Sequence, residues 1–91
     1  MIVGITRAAR KQLLKVPRHV AAKLLEWMDT VEEEGLEGAR TVRGYRDEAL
    51  VGDRKGQRSV RLSRSYRAVY VVVEWETVHS IRIEEVSKHD Y

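Results

Sequence analysis

Apolar and polar positions change period twice along this chain. Residues 1–5, MIVGI, form a short apolar run with β-branched side chains and predict a first strand. Thr6 then offers a hydroxyl to a free amide of the following turn, as a helix N-cap does. Ala9, Leu13 and Val16 fall on one helical face, with Arg7, Arg10, Lys11 and Lys15 elsewhere. Pro17 closes that segment and suits the first turn of the next. Beyond it Val20, Leu24, Trp27, Met28 and Val31 repeat as i, i+4, i+7, i+8, i+11, an amphipathic helix with one apolar stripe. Gly35 and Gly38 are expected to end it, and Trp27 and Met28 are expected in the core. The two helical segments predict an antiparallel hairpin.

Residues 36–56 are polar and punctuated by glycine, and residues 41–46 are a candidate edge strand. A loop of this length in so short a chain is often functional. Gly52-Asp53-Arg54-Lys55-Gly56 is no phosphate-binding P-loop, because the order is wrong and no Gly-Lys-Ser/Thr follows. Alternation with period two then predicts strands over residues 57–63 and 66–74, joined by a turn at Arg64-Ser65. On the first, Val60 and Leu62 point inward and Ser59, Arg61 and Ser63 outward. On the second, Arg67 shares parity with Val69, Val71 and Val73, at the end of a buried row. Tyr66 and Tyr70, on the other face with Ala68 and Val72, read as packing residues. Trp75 reads as an exposed stacking residue or a cap over the end of the sheet, the cap being preferred. A last strand spans residues 77–86, Ile81 and Ile83 opposite in face to Arg82 and Glu84. The order β-α-α-β-β-β predicts an α+β fold: an N-terminal strand and an antiparallel helical hairpin packed on a mainly antiparallel sheet.

With 91 residues the chain reads as one domain, residues 1–91, near the lower end of what folds unaided. It has no cysteine, so a disulfide framework, a thiolate metal site and a cysteine nucleophile are all excluded. No apolar run approaches a membrane span and the amino terminus lacks a signal peptide's layout, so the expectation is a soluble cytoplasmic protein. Charge is unevenly spread. Residues 40–67 carry nine basic and three acidic side chains, against six and six before them and two and five after. A clustered cationic block points to a polyanion: RNA, DNA or an acidic protein segment. Its centre, RKGQRSVRLSRSYRAVY over residues 54–70, holds Arg54, Lys55, Arg58, Arg61, Arg64 and Arg67. One wet face of those strands would be a row of guanidinium groups suited to phosphate. From charge alone, a solvated basic face explains the block as well.

Three stretches carry a family resemblance: Gly52 to Leu62 (GDRKGQRSVRL), Tyr66-Arg67-Ala68-Val69-Tyr70, and the end Lys88-His89-Asp90-Tyr91. With the element order, they resemble the RelE/ParE superfamily of type II toxin–antitoxin toxins, its HigB-type and RelE-type ribonuclease branch most of all. The resemblance implies a RelE-like fold and a toxin that enters the ribosomal A site and cuts mRNA there, without metal or cofactor. The ribose 2′-OH would attack the adjacent phosphate, leaving a 2′,3′-cyclic phosphate or its 3′-phosphate product and a 5′-OH. Such chemistry needs a base, cations for the phosphorane and a donor for the leaving oxygen.

By the resemblance, Arg67 holds the scissile phosphate, helped by Arg61 and by Arg58 on the preceding strand. An arginine suits this because its planar fork takes two phosphate oxygens and stays charged. His89 is a base or an acid, and Tyr91 orients the nucleophile, stacks on a base or acts as base. Asp90, which separates them where some branches have His and Tyr adjacent, either orients His89 or points away. Lys88 is a cation beside the phosphate or a solvated lysine. His19 and His79 read as surface residues. Arg40, Arg43, Arg46, Arg54, Lys55 and Arg64 are expected to meet ribosomal RNA and message by phosphate neutralisation. The implied partners are a cognate antitoxin with an acidic segment, in assemblies up to a heterotetramer, and the mRNA-bearing ribosome. The alternative within the same superfamily is a ParE-like toxin that inhibits DNA gyrase by binding, with no nuclease site.

Overall fold

The computed structural model describes residues 1–76 and 78–88, the side chain of Val78 aside. Strand β1 (Ile2–Ile5) leads into helix α1 (Arg7–Leu13), then helix α2 (Arg18–Arg40). After a 3₁₀ turn (Arg43–Tyr45) come β2 (Glu48–Ala49), a second 3₁₀ turn (Gly52–Arg54), β3 (Arg58–Arg61), β4 (Tyr66–Trp75) and β5 (Val78–Lys88). The sheet order is β1-β5-β4-β3-β2. β1 runs parallel to β5, and every other neighbour is antiparallel. This is the expected α+β arrangement, with two helices on one face of the sheet.

Local chemistry explains the helix starts. Thr6 accepts from the Ala9 amide at 3.1 Å, the N-cap expected of it. α1 is then tied to β5, because the Val86 amide donates to Gln12 Oε1 at 2.8 Å. The stripe Val20, Leu24, Trp27 and Val31 is fully buried, with Met28 packed against it. Gly35 takes φ 78 and ψ 169, a conformation essentially restricted to glycine, and breaks α2 into two helices that meet at a kink. The apolar stripe ends there as expected, whereas Gly38 lies inside the second helix. Past the kink, Leu36 and Ala39 return to the core at helical spacing.

Two further expectations change. Residues 41–46 form no strand; they make the 3₁₀ turn that buries Tyr45, and the edge strand is the two-residue β2 just beyond. Nor does the central hairpin have one buried and one wet face. Val60, Leu62, Ala68, Tyr70, Ile81, Ile83 and Val86 face the helices. Val69, on the opposite face with Arg61 and Arg67, is also fully buried. A bulge in β5 shifts the register between Val69 and Tyr70, which pair with Glu85 and Ile83. The extra residue is what lets Ile83 and Val86 share the helix-covered face despite their odd spacing. Trp75 does not cap the sheet: it is 74% exposed, because the β4–β5 hairpin runs past the last core residues Tyr70 and Ile81. No helix among the described residues is long and apolar enough to cross a membrane.

Candidate functional site

The open face of the sheet, on the side away from the helices, brings Arg61 and Arg67 directly opposite one another in the β3–β4 register. Like charges in facing positions of antiparallel strands destabilise the pair. Their recess, about 140 Å³, is lined by Arg46, Glu48, Ser59, Val60, Arg61, Tyr66 and Arg67. At about 30 Å³ per water in the liquid, it is the size of a small cluster of waters, suited to a phosphate group and too small for a whole nucleotide. Arg67 Nε is buried and has no hydrogen-bond acceptor among the described residues. A buried N–H donor is nearly always satisfied, so this one points to an acceptor beyond the described residues.

Each wall has a local cause. Ser63 Oγ accepts from the Ser65 and Tyr66 amides at 3.3 and 3.2 Å, which closes the β3–β4 turn and sets Arg61 against Arg67. Arg46 enters through a left-handed backbone, φ 46 and ψ 51. Glu48, opposite Ser59 in the β2–β3 register, is the carboxylate among the lining residues. Between these two, Asp47 turns the other way. Its side chain is 2% exposed and accepts from Arg58 Nε at 2.7 Å and from the Tyr70 hydroxyl, with Arg40 Nε at 4.0 Å. Burial first, and then Asp47, push the Tyr70 phenol up to about 12. Burial works against the Arg58 cation, but Asp47 outweighs it and holds its pKa above the ordinary value. Tyr70 packs on Trp27 with ring centroids 4.9 Å apart, so the clasp is rooted in the core.

A second carboxylate lies on the open face. Glu85 accepts from Arg54 Nη2 at 3.0 Å and from Ser87 Oγ at 2.9 Å. The Arg54 hydrogen bond is the chief reason its pKa is lowered, with Ser87 and the charges of Arg54 and Arg67 adding to it against burial. Glu85 thus trims the cationic field next to Arg67 and ties the loop carrying Arg54 to β5.

Of the expected site residues, Arg46, Arg61 and Arg67 converge. Arg64 lines an adjoining recess that shares Arg61. Lys88 is the register partner of Tyr66, which lines the pocket. Arg54 is engaged by Glu85, while Arg58 and Arg40 lie at the Asp47 clasp on the helix side. Arg43, in the first 3₁₀ turn, and Lys55, just after the second, are exposed, and neither lines the pocket. The roles assigned to His89, Asp90 and Tyr91 fall outside the described residues. Glu48, Asp47 and Glu85 were missed by sequence reasoning.

No family model matches the chain, and no curated protein matches its sequence. Solved structures do. A YoeB/ParE toxin from Agrobacterium tumefaciens superposes with a TM-score of 0.75 at 17% identity, covering 99% of this chain and all of that one. YafQ from E. coli strain BL21(DE3) gives 0.74 at 17% identity over 96% of this chain and 91% of its own. A chain of the toxin–antitoxin complex RelBE2 from Mycobacterium tuberculosis gives 0.68 at 23% identity, over 97% and 96%. The fold is that of the RelE/YoeB toxins. Within that fold, the open sheet face is where Arg46, Arg61 and Arg67 meet in this chain.

Proposed function

We propose that this chain is the toxin of a type II toxin–antitoxin system and cleaves mRNA on the ribosome. The observation that carries the reading is the facing pair Arg61 and Arg67 over a phosphate-sized recess that also holds a carboxylate. The sequence resemblance supplies the reaction class. The mRNA phosphate sits between the two guanidinium groups, which balance the charge gained by the phosphorane. Glu48 takes the proton of the 2′-OH as that oxygen bonds to phosphorus. The bond to the 5′-oxygen breaks, and this oxygen leaves with a proton from the tail that follows Lys88, His89 being the donor. The products are a 2′,3′-cyclic phosphate and a 5′-OH. Arg46, and Arg43 and Lys55 outside the pocket, meet ribosomal RNA through its phosphates.

The partner in the cell is an antitoxin with an acidic segment lying over residues 54–67. Among the structures that share the fold is a YoeB–YefM toxin–antitoxin heterotetramer from Staphylococcus aureus. The reading is tested by adding the protein to a translating extract and mapping new 5′ ends on the message. Cleavage is expected, with Arg67→Ala lowering its rate by about 10²–10³-fold, as for loss of one transition-state donor. Intact mRNA together with inhibited supercoiling in a parallel gyrase assay would replace this reading with the gyrase-binding one.

A further inference from the structure

Beside the phosphate recess lies a second and larger one, about 390 Å³, lined by Lys23, Gly44, Arg61, Leu62, Ser63 and Arg64. The two share Arg61 as their common wall. The first is too small for a nucleotide, whereas the second falls within the range of small-ligand sites, roughly 300–1,000 Å³. Three of its six lining residues are cations and none is a carboxylate. Glu26 touches Lys23 at 3.6 Å, but as an exposed i,i+3 pair it is worth only a few tenths of a kcal/mol and yields readily to a phosphate.

Its walls come from three separated parts of the chain. Lys23 stands on α2, with Nζ 4.9 Å from the centroid of the Tyr45 ring, so the helix and the 3₁₀ turn hold one side. Gly44 in that turn lines the recess without a side chain, and a Cβ there would meet no atom within 4 Å. Ser63 and Arg64 come from the β3–β4 turn that also sets Arg61 against Arg67.

We propose that this recess seats the nucleotide adjoining the scissile phosphate of a single-stranded RNA, Lys23 and Arg64 neutralising its own phosphate and Arg61 bridging the two subsites. The inference rests on the phosphate assignment of the smaller recess. Succession favours RNA over an acidic peptide: an anion-sized recess and a nucleotide-sized one, joined by a single guanidinium, match phosphates separated by a planar unit. Guanidinium planes stack on any base, and Ser63 Oγ is the sole uncharged polar side chain among the six lining residues. Occupancy is therefore tolerant of base identity. Apart from the shared Arg61, no residue of the larger recess is assigned a part in bond cleavage, so the rest of it serves binding and registration of the strand.

The test uses uncleavable 2′-O-methyl RNA and the whole protein, with binding read by fluorescence anisotropy across a salt series. A trinucleotide is expected to bind more tightly than a nucleoside 3′-phosphate, with little change among its base sequences. Lys23→Gln and Arg64→Gln should each weaken the trinucleotide several-fold, leave the mononucleotide unchanged, and flatten the slope of log K against log salt by about 0.7. Gly44→Val, filling the recess without removing charge, should weaken the trinucleotide while keeping that slope. Equal binding of both ligands, trinucleotide affinity unaltered in all three variants, or displacement of RNA by a poly-glutamate peptide with these same variant effects would each overturn the proposal. The two readings separate cleanly. Loss of mRNA cleavage with Lys23-dependent trinucleotide binding would end the nuclease assignment alone, and intact cleavage with insensitive variants would end the subsite alone.

Discussion

Asp47 stands between two pocket residues and faces away from them. Because its carboxylate is held on the helix side by Arg58 and Tyr70, its neighbours Arg46 and Glu48 are presented to the open face. A residue other than glycine in the left-handed region costs on the order of 1–3 kcal/mol, and Arg46 adopts that conformation directly beside the clasp. Asp47→Ala strands a guanidinium that is about a quarter exposed, so a loss of about 3 kcal/mol is expected in urea unfolding, at the low end for a broken buried pair. Tyr70→Phe removes a hydrogen bond to a charged group and should cost about 1.5–3 kcal/mol, non-additively with Asp47→Ala. The Tyr70 phenol is raised from 10.0 to about 12 in the folded protein, so its stabilisation is whole below pH 10 and lost as pH climbs towards 12. Stability curves over that window should slope downward in the wild type and less so in Tyr70→Phe.

At the scale of elements, most of the architecture was legible because it repeats. The helical stripe from Val20 to Val31 and the alternation of the long strands each extend over several periods, and each forms where expected. What escaped had no period to read. A two-residue strand cannot show alternation, so β2, which brings Glu48 to the pocket, was invisible. Gly35 reads as a stop because glycine after an apolar stripe usually is one, and the helix does break there; what had no signal is the second helix beyond it, packed through Leu36 and Ala39. Arg61 and Arg67 were found by their spacing and charge, whereas Glu48, Asp47 and Glu85 acquire meaning only from neighbours distant in sequence. The kink itself is open to test. Nothing lies within 4 Å of a Cβ at Gly35, so Gly35→Ala meets no clash and pays only the backbone penalty. A loss of about 1–3 kcal/mol is expected by thermal or urea unfolding, with Leu36 as the reporter of loosened packing.

For the molecule as a whole, the cationic excess is not evenly available. Arg40, Arg54 and Arg58 are engaged by Asp47 and Glu85, whereas Arg46, Arg61, Arg64 and Arg67 line the two recesses. Glu85 is held below its ordinary pKa of 4.5, so the stability it confers is present above pH 4.5 and fades as pH falls below it. Glu85→Gln should remove that acid limb from a stability–pH profile and, by taking a negative charge from the open face, tighten RNA binding at low salt more than at high salt.

The strand order gives the chain a sequence of assembly. β5 is the last of the five strands to be made, yet it lies between β1 and β4. β1 therefore waits without a hydrogen-bonded neighbour while more than 70 residues are added. At about 5–20 residues per second of synthesis the wait lasts seconds. During that time the helical stripe has only part of its sheet to cover, and Ile81, Ile83 and Val86 are absent from the core. Nascent chains halted before β5 should be protease-sensitive throughout, and release of the completed strand should protect β1 and α1 together. The sheet therefore closes in one step, when β5 arrives between two strands already made.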